Sequence, residues 1–97
     1  SSAASDVYKR QMFIEALADA GVAEGLKRPQ AYQLAAQGVL GAAKLVLESG
    51  KHPGQLKDEV CSPSGSTIRG LEVLEKGAFR GTVIDALRTT IEKARAL

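Results

Sequence analysis

Apolar residues recur at helical spacing along most of this chain, and glycine or proline separates the segments in which they do so. The first segment carries an apolar face of three residues, Phe13, Leu17 and Ala20. Spacings of four and three residues place side chains on one face of a helix. We expect this helix to begin near Ala4 and to end at Gly21, because glycine is the commonest residue just past a helix C-terminus.

The second segment, from Pro29 to Glu48, is apolar nearly all the way round, and glycine is its only helix breaker. A helix with this pattern is buried on most sides. Gly38 and Gly41 each cost about 1 kcal/mol of helix propensity relative to alanine, which favours close approach of another helix as the compensation. We therefore expect a long central helix that forms an interface. A membrane span is the weaker alternative, because three polar residues interrupt the segment: Gln33, Gln37 and Lys44.

Three shorter helical segments follow a turn at residues 49–54. The first begins at residue 53 or 54 and ends near residue 60, the second covers 66–76, and the third begins near residue 78 or 79. The apolar stripe of the third is the clearest in the chain: Phe79, Val83, Ile84, Leu87, Ile91 and Ala94. No segment has the alternating pattern of a strand. The pattern predicts an all-α fold of about five helices with one long central helix.

A short polar stretch, residues 60–68, lies between two of these helices. It holds four hydroxyl side chains, one glycine and one proline, and it leads into the helix that starts near Ser66. The first turn of a helix has N–H groups without partners and a partial positive charge, so a loop of this kind can hold a carboxylate or phosphate. The commoner interpretation is simpler, with Ser64 or Ser66 as an ordinary N-cap.

Composition restricts the class of protein. The 97 residues form one small domain without tryptophan and with only 4% aromatic residues, so one chain has a thin core that a second copy could complete. The 13 basic and 11 acidic residues are interleaved, which does not support nucleic-acid binding. A single cysteine fits a reducing compartment, and neither a signal peptide nor a membrane span is recognisable. We expect a soluble, cytosolic protein.

Few residues point to catalysis by themselves. There is no cysteine and histidine cluster of the kind that binds metal, and there is no Gly-rich dinucleotide or phosphate loop. His52, the only histidine, precedes Pro-Gly, where a turn residue is commoner than a catalytic one. Cys61 is more typical of a small buried apolar residue than of a reactive thiol.

Four runs of residues in a fixed order carry a family resemblance. They are Val39–Lys44, His52–Val60, Ser62–Ile68 and Leu74–Gly81. Together they resemble the C-terminal dimerisation domain of pyrroline-5-carboxylate reductase, over a region from about residue 12 to residue 97. The His-Pro-Gly-Gln-Leu-Lys-Asp run and the Ser-Pro-x-Gly-x-Thr loop are the most specific parts.

The resemblance implies a function and partners. The family reduces 1-pyrroline-5-carboxylate to L-proline with NADPH or NADH, the last step of proline biosynthesis. An N-terminal Rossmann domain binds the cofactor, and the helical domain intertwines with that of a second subunit. The implied partners are therefore the substrate and an identical subunit, with assembly beyond the dimer left open and with neither nucleic acid nor membrane involved.

The resemblance also implies site residues. Ser62 would offer its hydroxyl to the substrate carboxylate, and Gly65 and Ser66 would offer backbone N–H groups. Thr67 would hydrogen-bond the carboxylate or the ring nitrogen, and it is the one predicted catalytic residue, because the nitrogen must gain or hold a proton when hydride reaches the imine carbon. No cofactor-binding or metal-binding residue is expected in this region.

Two departures from the family pattern affect these expectations. Ser64 stands where the family usually has a second glycine, which matters if that position needs a positive φ. Residues 1–11 do not match the family and are expected to be foreign, which leaves 12–97 as the dimerisation domain. We expect the chain to lack the Rossmann half and to be inactive alone. Two alternatives stay open: a helical homodimerisation module without a ligand site, and a related reductase acting on another cyclic imino acid.

Overall fold

The computed structural model describes the backbone of residues 2–96 and the side chains of residues 9–96. Over this range the chain forms five α-helices and no strand, which confirms the predicted all-α class. The helices are α1 (Ser2–Ala23), α2 (Arg28–Ser49), α3 (Pro53–Val60), α4 (Ser66–Lys76) and α5 (Phe79–Ala96). None of the helices so described combines the length and apolar character needed to cross a membrane.

The chain divides into two compact units, and the predicted long helix is α2 in the first of them. This unit contains α1 and α2, and the second contains α3, α4 and α5. Helix α2 has 22 residues, which corresponds to about 33 Å. Its bounds, Arg28–Ser49, lie one residue outside those expected at each end.

The end of α1 corrects one prediction. Gly21 was expected to stop this helix, but α1 continues through it to Ala23. The left-handed residue is Gly25, with φ of +108°. The N–H of Gly25 donates to the carbonyl of Val22 at 3.0 Å, and the N–H of Leu26 donates to the carbonyl of Gly21 at 3.0 Å. These two bonds form a Schellman motif, so the helix ends where glycine can adopt positive φ with both bonds closed.

Gly21 instead serves the packing of α1 against α2. A Cβ added there would lie 3.2 Å from Cδ1 of Leu26 and 3.4 Å from Cβ of Ala31. Arg28 adds a polar link, because its Nη1 pairs with Oδ1 of Asp19 and its guanidinium lies 5.8 Å from the centroid of the Tyr32 ring. The hydrogen bond that Arg28 donates to the Asp19 carboxylate raises the pKa of Arg28 above its ordinary value. The two helices therefore meet beside their connecting turn, where the small residues Gly21 and Ala31 allow close approach.

The helices leave most of their large apolar side chains exposed. Among the residues whose side chains are described, only Ala18 and Ala31 are buried apolar residues. Four leucines of α2 are at least half exposed: Leu34, Leu40, Leu45 and Leu47. No large side chain within residues 9–96 is fully buried. The thin core expected from composition is thus almost absent from a single chain.

The two glycines inside α2 have open space beside them. A Cβ added at Gly38 or Gly41 would meet no atom of the described chain within 4 Å, apart from the helix's own nearby backbone. The close helix approach expected at these glycines is therefore not supplied by this chain.

In the second unit, α4 and α5 contact each other across a short turn. Helix α4 ends at Lys76 and is followed by Gly77, as predicted. The left-handed residue of the turn, however, is Ala78 with φ of +56°, while Gly77 has φ of −82°. The N–H of Ala78 donates to the carbonyl of Glu75 at 3.1 Å. Alanine thus occupies the backbone conformation that glycine adopts without steric cost.

This turn generates a stability prediction. Ala78→Gly should raise the free energy of unfolding by about 0.5–1 kcal/mol, because glycine removes the clash of a Cβ at positive φ. The matched substitution Ala43→Gly, in the middle of α2, should lower it by about 1 kcal/mol. Urea denaturation at one fixed protein concentration measures both. A loss of stability in Ala78→Gly equal to that in Ala43→Gly would contradict the account of the turn.

Candidate functional site

The polar stretch singled out in the sequence joins α3 to α4. The N-cap of α4 is Gly65, with φ of −78° and ψ of 172°, and no side chain caps the helix. The expectation that Ser64 or Ser66 is the N-cap is therefore wrong, since Ser64 precedes the cap and Ser66 is the first helical residue. Glycine has no side chain that could accept hydrogen bonds from the first N–H groups of α4. An external anion could accept these hydrogen bonds instead.

A tight turn sets the shape of this loop. The N–H of Gly65 donates to the carbonyl of Ser62 at 3.1 Å, which closes a four-residue turn. Pro63 occupies the second position, and Ser64 at the third has φ of +59°. Proline followed by a positive φ is the pattern of a type II turn. Serine in place of glycine matters if position 64 needs a positive φ. The structure shows that this position does adopt a positive φ.

Ser62 and Gly65 are in close contact. A Cβ added at Gly65 would collide with Oγ of Ser62 and would lie 3.3 Å from the Ser62 carbonyl oxygen. A side chain at residue 65 would therefore displace the Ser62 hydroxyl and crowd the Ser62 carbonyl oxygen, although the φ of Gly65 is in the ordinary range. The Ser62 hydroxyl consequently lies beside the residue from which α4 starts.

The other two predicted site residues, Ser66 and Thr67, come directly after Gly65 in the chain. Ser66 and Thr67 are the first two residues of α4, and their side chains, like that of Ser62, are exposed, while Gly65 is half-buried. All four predicted residues therefore lie within one turn and the first helical residues after it. The segment 61–67 contains hydroxyls and a helix N-terminus but no lysine or arginine. Such a site can bind an anion through hydrogen bonds without placing a cation beside it.

The predicted donation from Gly65 to a carboxylate stays a prediction. Its N–H already donates to the Ser62 carbonyl within the turn. The N–H groups of Ser66 and Thr67, as first-turn groups of α4, are positioned to donate outward.

Helix α3 precedes the loop and is held by polar contacts. Nζ of Lys51 lies 3.0 Å from Oε1 of Glu59, and Nε2 of Gln55 donates to the same oxygen at 3.2 Å. The N–H of Cys61 donates to the carbonyl of Asp58 at 3.2 Å at the helix end. Cys61 is a half-buried free thiol.

Sequence reasoning missed the role of His52. Its Nδ1 accepts a hydrogen bond of 2.9 Å from the N–H of Gly54, so it is the N-cap of α3. The position before Pro53 could have revealed this, because proline favours the first helical position and the residue before it is then the cap.

No cluster of three or more potential metal ligands exists among the residues that the structure describes. The candidate site is therefore the hydroxyl-rich loop at the start of α4, and its chemistry is hydrogen bonding to an anion.

Comparison with known proteins places this geometry in a family. The family model described as pyrroline-5-carboxylate reductase dimerisation matches residues 10–97. The pyrroline-5-carboxylate reductase of Escherichia coli strain K12 is 57% identical over 86 residues, which are 89% of this chain and 32% of that protein. The enzyme of Pisum sativum is 58% identical over 84 residues, or 87% of this chain and 31% of its own.

Solved structures agree with the sequence matches. The pyrroline carboxylate reductase of Plasmodium falciparum, whose crystal structure has NADP bound, superposes with a TM-score of 0.91 at 39% identity. The match covers 96% of this chain and 37% of that one. A pyrroline-5-carboxylate reductase from Coxiella burnetii gives a TM-score of 0.89 at 36% identity, over 95% of this chain and 34% of its own.

The chain thus spans about a third of the length of the relatives that it matches. The family match nevertheless begins within α1 and includes helices α2 to α5 and the loop that joins α3 to α4. This chain belongs to the pyrroline-5-carboxylate reductase dimerisation family.

Proposed function

We propose that this chain is the dimerising and substrate-binding part of a pyrroline-5-carboxylate reductase, which reduces 1-pyrroline-5-carboxylate to L-proline with NADPH or NADH. The observation that carries the proposal is the turn at Ser62–Gly65, which brings a hydroxyl beside the uncapped N-terminus of α4 in a chain of this family. The cofactor belongs to a further domain, since the relatives are about three times as long.

The substrate carboxylate would sit at the start of α4. Ser62 donates its hydroxyl, and Ser66 and Thr67 donate first-turn N–H groups. The partial positive charge of the helix end adds to the attraction. A site without lysine or arginine binds the carboxylate without placing a full cation next to the iminium that forms on the ring.

Thr67 would assist the chemistry at the ring nitrogen. Hydride supplied by the nicotinamide cofactor adds to the imine carbon, and the nitrogen must carry a proton as it becomes an amine. The Thr67 hydroxyl can donate a hydrogen bond to the carboxylate or to this nitrogen. Thr67 is the one catalytic residue that we assign to this chain.

The exposed apolar faces support a homodimer. Burying a leucine side chain fully contributes about 1.5–3 kcal/mol, and Leu40 and Leu47 of α2 are 60% and 83% exposed. Gly38 and Gly41 leave room for another backbone to approach. We propose that a second copy covers these faces.

Further expectations from the sequence remain proposals. We place the functional domain at residues 12–97 and leave 1–11 outside it; the family model begins close to this boundary, at residue 10. A cytosolic location remains our expectation from the single cysteine, Cys61, which is a free thiol. A related cyclic imino acid as substrate would use the same carboxylate contacts.

A second candidate function is a homodimerisation module without ligand binding. The exposed leucines favour dimerisation whether or not the loop binds anything. The loop variants below separate the two candidates.

The carboxylate site predicts a loss of ligand binding. Ser62→Ala with Thr67→Ala should weaken L-proline binding about tenfold or more, because hydrogen bonds to a charged group contribute about 1.5–3 kcal/mol each. NMR titration of the amide signals measures this affinity. Thr89→Ala, an exposed hydroxyl of α5, is the matched control and should bind as wild type does. Equal binding by all three proteins would favour the dimerisation module.

Catalysis is predicted to need more than this chain. Mixed with 1-pyrroline-5-carboxylate and NADPH, the chain alone should cause no loss of NADPH absorbance, because no residue in it is assigned to the cofactor. Turnover above the buffer rate would refute that prediction.

The dimer prediction can be tested at Gly41. Gly41→Ala and Gly41→Leu each improve helix propensity by up to about 1 kcal/mol, and a Cβ at residue 41 would meet no atom of the described chain within 4 Å, apart from the helix's own nearby backbone. If a partner backbone approaches closely, the leucine variant should instead dissociate the dimer and lose helicity, with alanine intermediate. Light scattering and circular dichroism follow both properties. A stable, well-folded monomer of wild type, or a stabilised dimer in Gly41→Leu, would contradict the proposal.

A further inference from the structure

Helix α3 is a weakly supported element placed directly before the candidate site. It has eight residues, and none of them is buried. An isolated helix of this length is marginal in water, so its end contacts have a large share in holding it. Its last residue, Val60, is two residues from Ser62. The contacts that keep α3 folded therefore also fix the position at which the loop with Ser62 begins.

The start of α3 is closed by an imidazole. Nδ1 of His52 accepts from the Gly54 N–H at 2.9 Å, and the His52 backbone is extended, as an N-cap requires. The ring can approach because residue 54 has no side chain; a Cβ there would lie 3.0 Å from Nδ1. Because Nδ1 is the acceptor, the ring proton resides on Nε2.

An ion pair also links the residue before His52 to the last turn of α3. Nζ of Lys51 lies 3.0 and 3.3 Å from the two carboxylate oxygens of Glu59, and both side chains are nearly half exposed. Exposed ion pairs contribute little to stability, typically under about 1 kcal/mol. The His52 cap is thus the more significant of the two contacts.

We infer that His52 is a positioning residue for the substrate-carboxylate loop, acting through the N-cap of α3. This inference rests on the proposed function. His52 acts through α3: it keeps the first turn of α3 formed, and α3 holds Cys61 and Ser62 at the start of the Ser62–Gly65 turn. Loss of the cap lowers the fraction of chains with a formed loop and weakens ligand affinity in proportion.

Two substitutions at this position separate capping from other effects. Asparagine places an oxygen where Nδ1 lies and is a strong N-cap, whereas alanine has no acceptor. In the full chain, His52→Ala should weaken L-proline binding by about twofold to fivefold. His52→Asn should bind within about twofold of wild type.

NMR titration of the Ser66 and Thr67 amides with L-proline measures the affinities, and hydrogen exchange of the same amides measures loop formation without ligand. Pyrrolidine, which lacks the carboxylate, is the ligand control. Exchange should be faster in His52→Ala than in wild type, and His52→Asn should restore it. The ¹⁵N shifts of the His52 ring should show the proton on Nε2.

Unchanged affinity and exchange in His52→Ala would overturn the inference, as would an equal loss in His52→Asn. Failure of wild type to respond to L-proline would contradict the proposed function instead. Hydrogen exchange of the Ser66 and Thr67 amides without ligand would then decide the positioning role of His52. Equal exchange rates in wild type, His52→Ala and His52→Asn would overturn it.

Discussion

Burial of apolar surface is the constraint on which this structure depends, and a single chain does not satisfy it. Within residues 9–96 the buried apolar residues are two alanines, Ala18 and Ala31. Large side chains on α2 and α5 remain exposed, including Leu47 and Ile84. Since apolar burial is the main favourable term in folding, helices of this kind need a second apolar surface. The family to which the chain belongs is described by that property, dimerisation.

The candidate site depends on different and more local forces. A turn of four residues, Ser62 to Gly65, is closed by one backbone hydrogen bond and by the contact between a serine hydroxyl and a glycine. The turn requires a positive φ at Ser64, which costs an L-residue about 1–2 kcal/mol. Helix α3, which leads to this turn, has no buried residue, and its N-cap is a polar contact between the Gly54 N–H and His52 Nδ1. The candidate site is therefore formed by contacts between residues close in sequence, whereas the stability of the helices depends on the burial of their apolar faces.

The separation between a local binding loop and a dimerising set of helices fits a chain that spans about a third of its relatives' length. The Plasmodium falciparum protein was solved with NADP bound, and the match with this chain covers 37% of that protein. In the proposed function the hydroxyl-rich loop would bind the substrate carboxylate, and the hydride would come from the nicotinamide cofactor. The proposed reaction consequently needs a bound cofactor to reach the substrate at this loop.

The sequence by itself determined the helices, because a period of 3.6 residues and interruptions by glycine and proline are local properties. Thus α4 was predicted from Ser66 to Lys76 as observed. The family and its site loop were also recognisable, because the residues that form the Ser62–Thr67 segment are contiguous.

Only the tertiary structure decided how the elements end and which of their side chains stay exposed. Gly21 was expected to stop α1 and proved to be a packing contact, while Gly25 carries the left-handed turn. A serine was expected to cap α4 and the cap is Gly65, whose missing Cβ makes room for Ser62. Ala78, beside a glycine, takes the positive φ. Glycine permits a left-handed backbone or a close contact without selecting either, and the hydrogen bonds and neighbours that make the choice exist only in the folded chain.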